Sequence, residues 1–120
     1  MIAKHIEIGR ESEKIAAEFL VAKGYRILET NYRYRSKEID IIAMQDNTLV
    51  IVEVKSAISG GDETPGDLVN IRKQQYLIRA TEAYIINNNM DAPVRFDVIF
   101  VYRKEGNRIE HIEDAFYPLA

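Results

Sequence analysis

A chain of 120 residues is long enough for one domain with a hydrophobic core, and we expect that domain to span residues 1–120. This length leaves no room for a second domain. Hydrophobic residues make up 47% and charged residues 29% of the sequence, which is typical of a globular protein and excludes a disordered tail or a fibre. The absence of cysteine excludes disulfides and thiolate zinc sites, and two histidines are too few for the usual zinc ligand sets. Metal chemistry would therefore use carboxylates, which select hard cations such as magnesium, manganese or calcium, while the net charge of −3 argues against an indiscriminate nucleic-acid coat protein.

The sequence contains no predicted membrane or export segment. The longest apolar runs, Leu49–Val52 and Val98–Tyr102, are far shorter than the roughly 18 residues of a membrane helix. The first residues lack the charged start, long apolar stretch and small-residue cleavage site of a signal peptide. We therefore expect a cytoplasmic protein.

The spacing of apolar residues predicts two helices and five strands. Helical periodicity covers a first segment that ends at Gly24 and a longer one that ends in the Asn87-Asn88-Asn89 run, while β-forming residues bounded by turn formers fill the rest. The order α-β-β-β-α-β-β predicts a single α/β domain in which helices flank one mixed sheet. The predicted bounds are a helix over 9–24, strands over 25–35, 38–44 and 48–56, a loop over 57–66, a helix over 67–87, and strands over 94–102 and 108–112.

The second and third strands are predicted to form a hairpin. With Asp46 and Asn47 as the central turn residues, Asp40 lies opposite Glu53, and Glu38 lies opposite Lys55. Because side chains alternate between the faces of a strand, these four ionisable groups gather at the end of one face. The other face is predicted to be wholly apolar and to pack against a helix. It consists of Ile39, Ile41, Ala43, Val50, Val52 and Val54.

Two carboxylates opposed across a hairpin are unfavourable, because like charges repel and a half-buried carboxylate loses hydration. A divalent cation between Asp40 and Glu53 would offset this cost, with magnesium held by the two carboxylates and by water. Lys55, two residues after Glu53 on the same face, can position or deprotonate a water and neutralise charge that develops on a phosphate. The alternative is an ordinary pair of edge-facing acids that Lys55 neutralises.

Both helices offer further candidates. Glu13 lies close to the apolar stripe of the first helix and can supply a third carboxylate, although a solvated glutamate that interacts with the helix dipole fits the pattern equally well. In the second helix, Lys73 occupies a position where the stripe between Val69 and Leu77 predicts an apolar residue, and snorkelling toward solvent is its alternative explanation. Gln74 adjoins it.

A basic stripe precedes the two acidic residues of the second strand. Five positive charges are opposed in this stretch by Glu29 alone, and a phosphodiester would fit such a stripe. Tyrosines between the charges can stack on bases or donate hydrogen bonds to phosphate. The alternative is a solvated edge strand protected by its charge. The basic residues are Lys23, Arg26, Arg33, Arg35 and Lys37, and the tyrosines are Tyr25, Tyr32 and Tyr34.

Several short motifs follow one another between residues 9 and 101 in an order found in one known family. They are Gly9 with Glu13, Ala16-Ala17 with Leu20, Gly24-Tyr25 with Ile27-Leu28, Asn31-Tyr32-Arg33, Glu38-Ile39-Asp40-Ile41-Ile42-Ala43, Val52-Glu53-Val54-Lys55, Lys73, and Arg95-Phe96-Asp97-Val98. In this set and order the chain resembles the YraN-like family of predicted endonucleases. That family is placed in the PD-(D/E)XK nuclease superfamily and is similar to archaeal Holliday-junction resolvases.

The resemblance implies a restriction-endonuclease-like α/β fold and magnesium- or manganese-dependent hydrolysis of phosphodiester bonds in DNA. Carried over to the matching positions, the catalytic residues are Glu13, Asp40, Glu53 and Lys55, of which the three carboxylates are metal ligands. The resemblance also implies an accessory role for Gln74 or Lys73. Glu38 is a further accessory candidate because of its place in the hairpin patch, and the basic stripe gives Arg26, Arg33, Arg35 and Lys37 as candidates for nucleic-acid binding.

The sequence is less informative about the substrate than about the reaction. The chain contains no helix-turn-helix or zinc-finger pattern for reading bases, so we expect selection by the geometry of the DNA, such as a branch, and a homodimer would engage two arms at once. Two alternatives stay open from the sequence, namely a non-catalytic nucleic-acid-binding module and a nuclease directed at RNA.

Overall fold

The computed structural model describes residues 2–57 and 69–117, with side chains from residue 7 onward. Helices and strands follow one another in the predicted order α-β-β-β-α-β-β, and a short 3-10 turn, Arg103–Glu105, precedes the last strand. All of the predicted loop over 57–66 except its first residue lies outside the described residues. The elements are α1 (Ile2–Ala22), β1 (Arg26–Tyr34), β2 (Lys37–Gln45), β3 (Thr48–Ala57), α2 (Ile71–Asn87), β4 (Val94–Tyr102) and β5 (Arg108–Phe116).

Three element boundaries differ from the predicted ones by four residues or more. Helix α1 begins at Ile2 because Gly9 lowers helix propensity by only about 1 kcal/mol and does not break the helix. Helix α2 begins at Ile71 because the side chain of Asn70 caps it, accepting a hydrogen bond from the Lys73 N–H at 2.9 Å. Strand β5 continues to Phe116, well past the predicted end at residue 112.

The five strands form one mixed sheet in the order β1-β2-β3-β4-β5. Neighbouring strands are antiparallel except β3 and β4, which are parallel because the chain crosses over between them through α2. The predicted hairpin register is confirmed, since the β2–β3 pairs run from Gln45 opposite Thr48 to Ile41 opposite Val52. The turn places Asp46 at a φ of 52°, in the left-handed region that aspartate tolerates.

The sheet separates two apolar clusters, one under each helix. Ile41 and Ala43 pack with α1, whereas Ile42 packs with α2, as strand alternation requires. Ile39 was predicted on the same face as Ile41 and Ala43 but packs in the α2 cluster with Ile42. The alternation of β2 is therefore broken at Asp40, between Ile39 and Ile41. In the described part of the chain, neither helix is both long and apolar enough to cross a bilayer.

Candidate active site

The break in β2 coincides with a fork between β2 and β3. The described pairs of these strands end at Ile41 opposite Val52, whereas β3 stays paired with β4 as far as Ala57. Beyond the last pair, the Val54 N–H donates a hydrogen bond to Asp40 Oδ2 at 2.8 Å. A carboxylate therefore satisfies a backbone donor that the neighbouring strand no longer reaches.

Asp40 and Glu53 meet at this fork, as the hairpin register predicts. Burial raises the pKa of Asp40 to about 9, and a hydrogen bond with Glu53 and the negative charge of Glu53 act in the same direction. The Glu53 side chain is only 5% exposed. Glu53 is buried and Asp40 is half-buried, and two such carboxyl groups in contact share a proton unless a cation lies between them.

One oxygen of this pair has no hydrogen bond. Glu53 Oε2 is buried, and no described residue donates a hydrogen bond to it. The Lys73 ammonium lies 3.2 Å away, so it compensates the charge, but the two groups are not aligned as a hydrogen bond. A buried carboxylate oxygen with free lone pairs, beside a second carboxylate, fits a hard divalent cation. The prediction that Lys73 is accessory to this site agrees with its position.

Glu13 lies near the pair but makes a contact of its own. Its Oε2 accepts a hydrogen bond from Asn31 Nδ2, and its negative charge adds a small upward contribution to the pKa of Asp40. Asn31 has a φ of 51°, a left-handed conformation inside β1 that asparagine adopts more readily than most residues. Among the described residues, no three histidine, aspartate or glutamate side chains surround one point as metal ligands. Glu13 is therefore a neighbour of the carboxylate pair in this arrangement.

Asn31 was not singled out from the sequence as a site residue. The sequence indicates a role for Asn31 only through its place in the Asn31-Tyr32-Arg33 motif. Polar residues are common in charged edge strands, so its residue type alone does not mark it as a site residue. The contact with Glu13 joins residues 18 positions apart and depends on how α1 packs across β1.

The remaining predicted site residues lie at different distances from the pair. Lys55 follows Glu53 by two positions on β3, is half-buried, and forms no ion pair with a described residue. Gln74 donates a hydrogen bond from Nε2 to the Val69 carbonyl at 2.8 Å and so secures the start of α2. Glu38 pairs with Arg33 on β1 at 3.7 Å, and the described β2–β3 pairs stop before the predicted Glu38–Lys55 contact. Glu38, like Lys55, is half-buried.

The predicted basic stripe is divided by the strand that carries it. Arg26 begins β1 and pairs with Met44, whereas Arg33, Arg35 and Lys37 lie at the opposite end, around the β1–β2 turn. At about 3.3 Å per residue, Arg26 is roughly 25 Å from that turn. The four residues therefore do not form one surface, and only the three at the turn are close to α2.

The Arg95-Phe96-Asp97-Val98 motif belongs to a separate buried network at the other end of the sheet. Arg95 donates two hydrogen bonds to Asp97, at 2.9 and 2.8 Å, and a third to the Tyr25 hydroxyl at 2.6 Å. His111 Nε2 lies 2.7 Å from Asp97 Oδ2. Although burial favours the protonated form, the hydrogen bonds from His111 and Arg95 lower the pKa of Asp97. Every charge here has a partner, so the network holds β4 to β5 and to the start of β1.

Comparison with known proteins gives the family. Residues 12–101 match the model described as "Uncharacterised protein family UPF0102". A UPF0102 protein of Flavobacterium psychrophilum is 47% identical over 117 residues, which cover 97% of this chain and 98% of that protein. A UPF0102 protein of Thermodesulfovibrio yellowstonii is 47% identical over 112 residues, covering 93% and 97%, and one of Parabacteroides distasonis is 41% identical over 117 residues, covering 97% of each. The chain therefore belongs to the UPF0102 family, to which the resemblance to YraN-like proteins pointed.

Proposed function

We propose that the chain is a metal-dependent endonuclease that hydrolyses phosphodiester bonds in DNA. The observation that carries the proposal is the Asp40–Glu53 pair at the β2–β3 fork, in which the buried Glu53 Oε2 receives no hydrogen bond from the described residues. Such an arrangement lowers the stability of the fold, so its presence indicates a function. Carboxylates with strongly shifted pKa values are concentrated at functional sites. The resemblance to PD-(D/E)XK nucleases, whose layout these residues match, supports the same proposal.

In this proposal Asp40 and Glu53 would hold a magnesium or manganese ion, with the Glu13 carboxylate nearby. The ion supplies positive charge that stabilises a phosphoryl group during hydrolysis and makes water more acidic. Lys55 has no ion pair within the described chain, so its ammonium is free to contact a phosphate oxygen. Lys73 maintains the charge balance of Glu53 before the ion arrives.

Preference for branched DNA and action as a homodimer are finer parts of the proposal. They rest on the similarity to Holliday-junction resolvases and on the lack of a base-reading motif in the sequence, because a small domain without base contacts selects its substrate by shape. A symmetric dimer would contact two arms of a junction and gain effective concentration without new contacts.

The test is a cleavage assay with end-labelled linear, flapped and four-way DNA and with RNA of the same sequence, in magnesium, in manganese and in EDTA. We expect DNA cleavage that requires the metal and disappears in Glu53→Gln and Lys55→Met. In Lys55→Met the affinity for DNA in EDTA should change by no more than a few fold, because the half-buried Lys55 ammonium acts in this proposal on charge that develops during hydrolysis and not on the bound substrate. Lys104→Met, an exposed lysine between β4 and β5, is the matched control.

Three outcomes would count against this function. Cleavage that survives in Glu53→Gln would exclude the carboxylate pair as the site. Binding without cleavage in any metal would favour the non-catalytic module, and cleavage of RNA alone would favour an RNA-directed nuclease.

A further inference from the structure

A cavity lies beside the candidate site, between the β1–β2 turn and α2. Its volume is about 500 Å³, and three of its six lining residues are arginines. Two of these, Arg72 and Arg79, are exposed and lie seven positions apart on one face of α2. The lining residues are Tyr34, Arg35, Arg72, Gln75, Tyr76 and Arg79. We call this surface the arginine groove.

The third arginine occupies a strained backbone position. Arg35 is a central residue of the two-residue turn between Tyr34 and Lys37, and its φ is 59°. Glycine and asparagine are favoured at such a position, because a larger side chain there costs of order 1 kcal/mol. Arg35 therefore lowers the stability of the turn. It lies at the entrance to a cavity that two other arginines line.

Cations also cover the aromatic rings of the groove. Arg35 lies over the Tyr34 ring at 5.4 Å from its centre, and Lys37 and Lys73 lie over the Tyr76 ring at 5.9 and 5.6 Å. The Tyr76 hydroxyl donates to the Tyr34 carbonyl at 2.9 Å. Rings whose faces contact ammonium and guanidinium groups are poorly placed to stack on bases. The groove therefore presents positive charge to a ligand, as a phosphate backbone requires.

Lys73 connects the groove to the carboxylate pair. Its ammonium lies 3.2 Å from Glu53 Oε2 and 5.6 Å from the centre of the Tyr76 ring, which lines the groove. Arg72 precedes Lys73 along the helix. Among the described residues, Lys73 and Tyr76 therefore link Glu53 directly to the arginine groove.

We propose that the arginine groove binds the sugar–phosphate backbone of the DNA strand next to the bond that is cut, through Arg35, Arg72 and Arg79. This inference rests on the proposed function and adds the surface that holds the substrate. Guanidinium groups make paired hydrogen bonds to phosphate oxygens, and these contacts carry no information about the bases. The groove thus supplies affinity that is independent of sequence.

The experiment measures DNA affinity in EDTA, where no cleavage occurs, at several salt concentrations. We expect Arg72→Ala and Arg79→Ala each to weaken binding about five- to tenfold at 0.1 M salt, and to reduce the salt slope by about 0.9 on duplex and about 0.7 on single strands. Arg108→Ala is the matched control, because Arg108 is also exposed but lies on β5, at the opposite edge of the sheet, and should leave affinity within twofold.

Arg35→Gly separates binding from a structural role. It should weaken binding as the other two substitutions do, while the melting temperature stays equal or rises, because glycine relieves the strained turn. Binding equal to wild type in Arg35→Gly, or no difference between the Arg72 and Arg79 variants and Arg108→Ala, would overturn the proposal even if cleavage is observed. Equal affinity for a poly-glutamate chain of the same charge as the DNA would assign the groove to acidic polypeptides and overturn it as well.

This design also distinguishes failure of the groove from failure of the nuclease. If the arginine variants lose affinity but no protein cleaves DNA in any metal, the groove proposal holds as a binding surface and the proposed catalytic function is wrong.

Discussion

Asp40 Oδ2 accepts a hydrogen bond from the backbone N–H of Val54 at 2.8 Å, and this contact lies where β2 and β3 separate. The carboxyl group of Asp40 thus accepts a hydrogen bond from Val54 and also interacts with the Glu53 carboxyl group. An amide at position 40 can still accept the hydrogen bond from Val54 but cannot ionise. The Asp40→Asn substitution therefore separates the two interactions.

The first prediction concerns metal binding. Magnesium or manganese should raise the melting temperature of the wild type, because an ion that binds only the folded state stabilises it by mass action. Asp40→Asn should abolish this rise and, in EDTA at pH 8, should be more stable than the wild type, because an amide does not have to take up a proton when the chain folds. Differential scanning fluorimetry measures both effects. Asp46→Asn, the same change in the exposed turn of this hairpin, is the control, and an equal metal response in Asp40→Asn would contradict a metal at this position.

The second prediction concerns pH in the absence of metal. The folded state raises the pKa of Asp40 to about 9, so the folded protein retains a proton that the unfolded chain has lost. The contribution of this group to stability is fully present below about pH 4 and is lost as pH rises toward 9, at up to about 1.4 kcal/mol per pH unit. Urea titrations in EDTA across this window should show the loss in the wild type and a flatter profile in Asp40→Asn. Identical profiles would show that Asp40 does not titrate in this way.

The third prediction concerns the cation that already lies beside Glu53. Lys73→Met should lower the free energy of unfolding in EDTA by about 1–3 kcal/mol, because it leaves the buried Glu53 carboxylate without its nearest positive charge. The increase in melting temperature on adding magnesium should then be larger than in the wild type. Lys37→Met is the control, since Lys37 contacts the same Tyr76 ring. If Lys73→Met instead abolishes the magnesium response, Lys73 helps to hold the ion rather than to substitute for it.

A fourth prediction concerns the network at the other end of the sheet. Asp97→Asn should lower the free energy of unfolding by about 3–5 kcal/mol, because Arg95 and His111 then lose a buried ionised partner. The lowered pKa of Asp97 means that its contribution is present above about pH 4 and is lost as pH falls below that value, the reverse of Asp40. The magnesium response should be unchanged, and Asp91→Asn, at an exposed position before β4, is the control. A lost magnesium response would show that the two clusters are coupled.

The β2–β3 hairpin was predictable because its determinants are local. A turn of known length and an alternating apolar pattern are enough to place Asp40 opposite Glu53, since a strand has a fixed period of two. Ile39 was assigned to the wrong side because the pattern assumes an unbroken strand. The break at Asp40 arises from a side-chain contact with Val54, which no local pattern contains.

The arginine groove could not be predicted from the sequence. Arg35 and Arg72 are 37 positions apart, and neither stands in a run that marks it as part of a cavity. Their proximity follows from the packing of α2 against the sheet near the β1–β2 turn. Arg26, in contrast, was predicted to lie on one surface with Arg33 because the two are close in sequence. An extended strand separates them in the structure.

The fork affects which amino-acid substitutions the fold tolerates during evolution. β3 keeps its parallel pairing with β4 from Leu49 to Ala57, so the backbone that carries Glu53 and Lys55 is fixed without β2. Substitutions at the ionisable groups therefore leave the two apolar clusters and most of the backbone pairing intact. A relative that has lost one of these groups would still fold, express and melt cooperatively, and the loss would show in assays of metal binding and of the proposed cleavage.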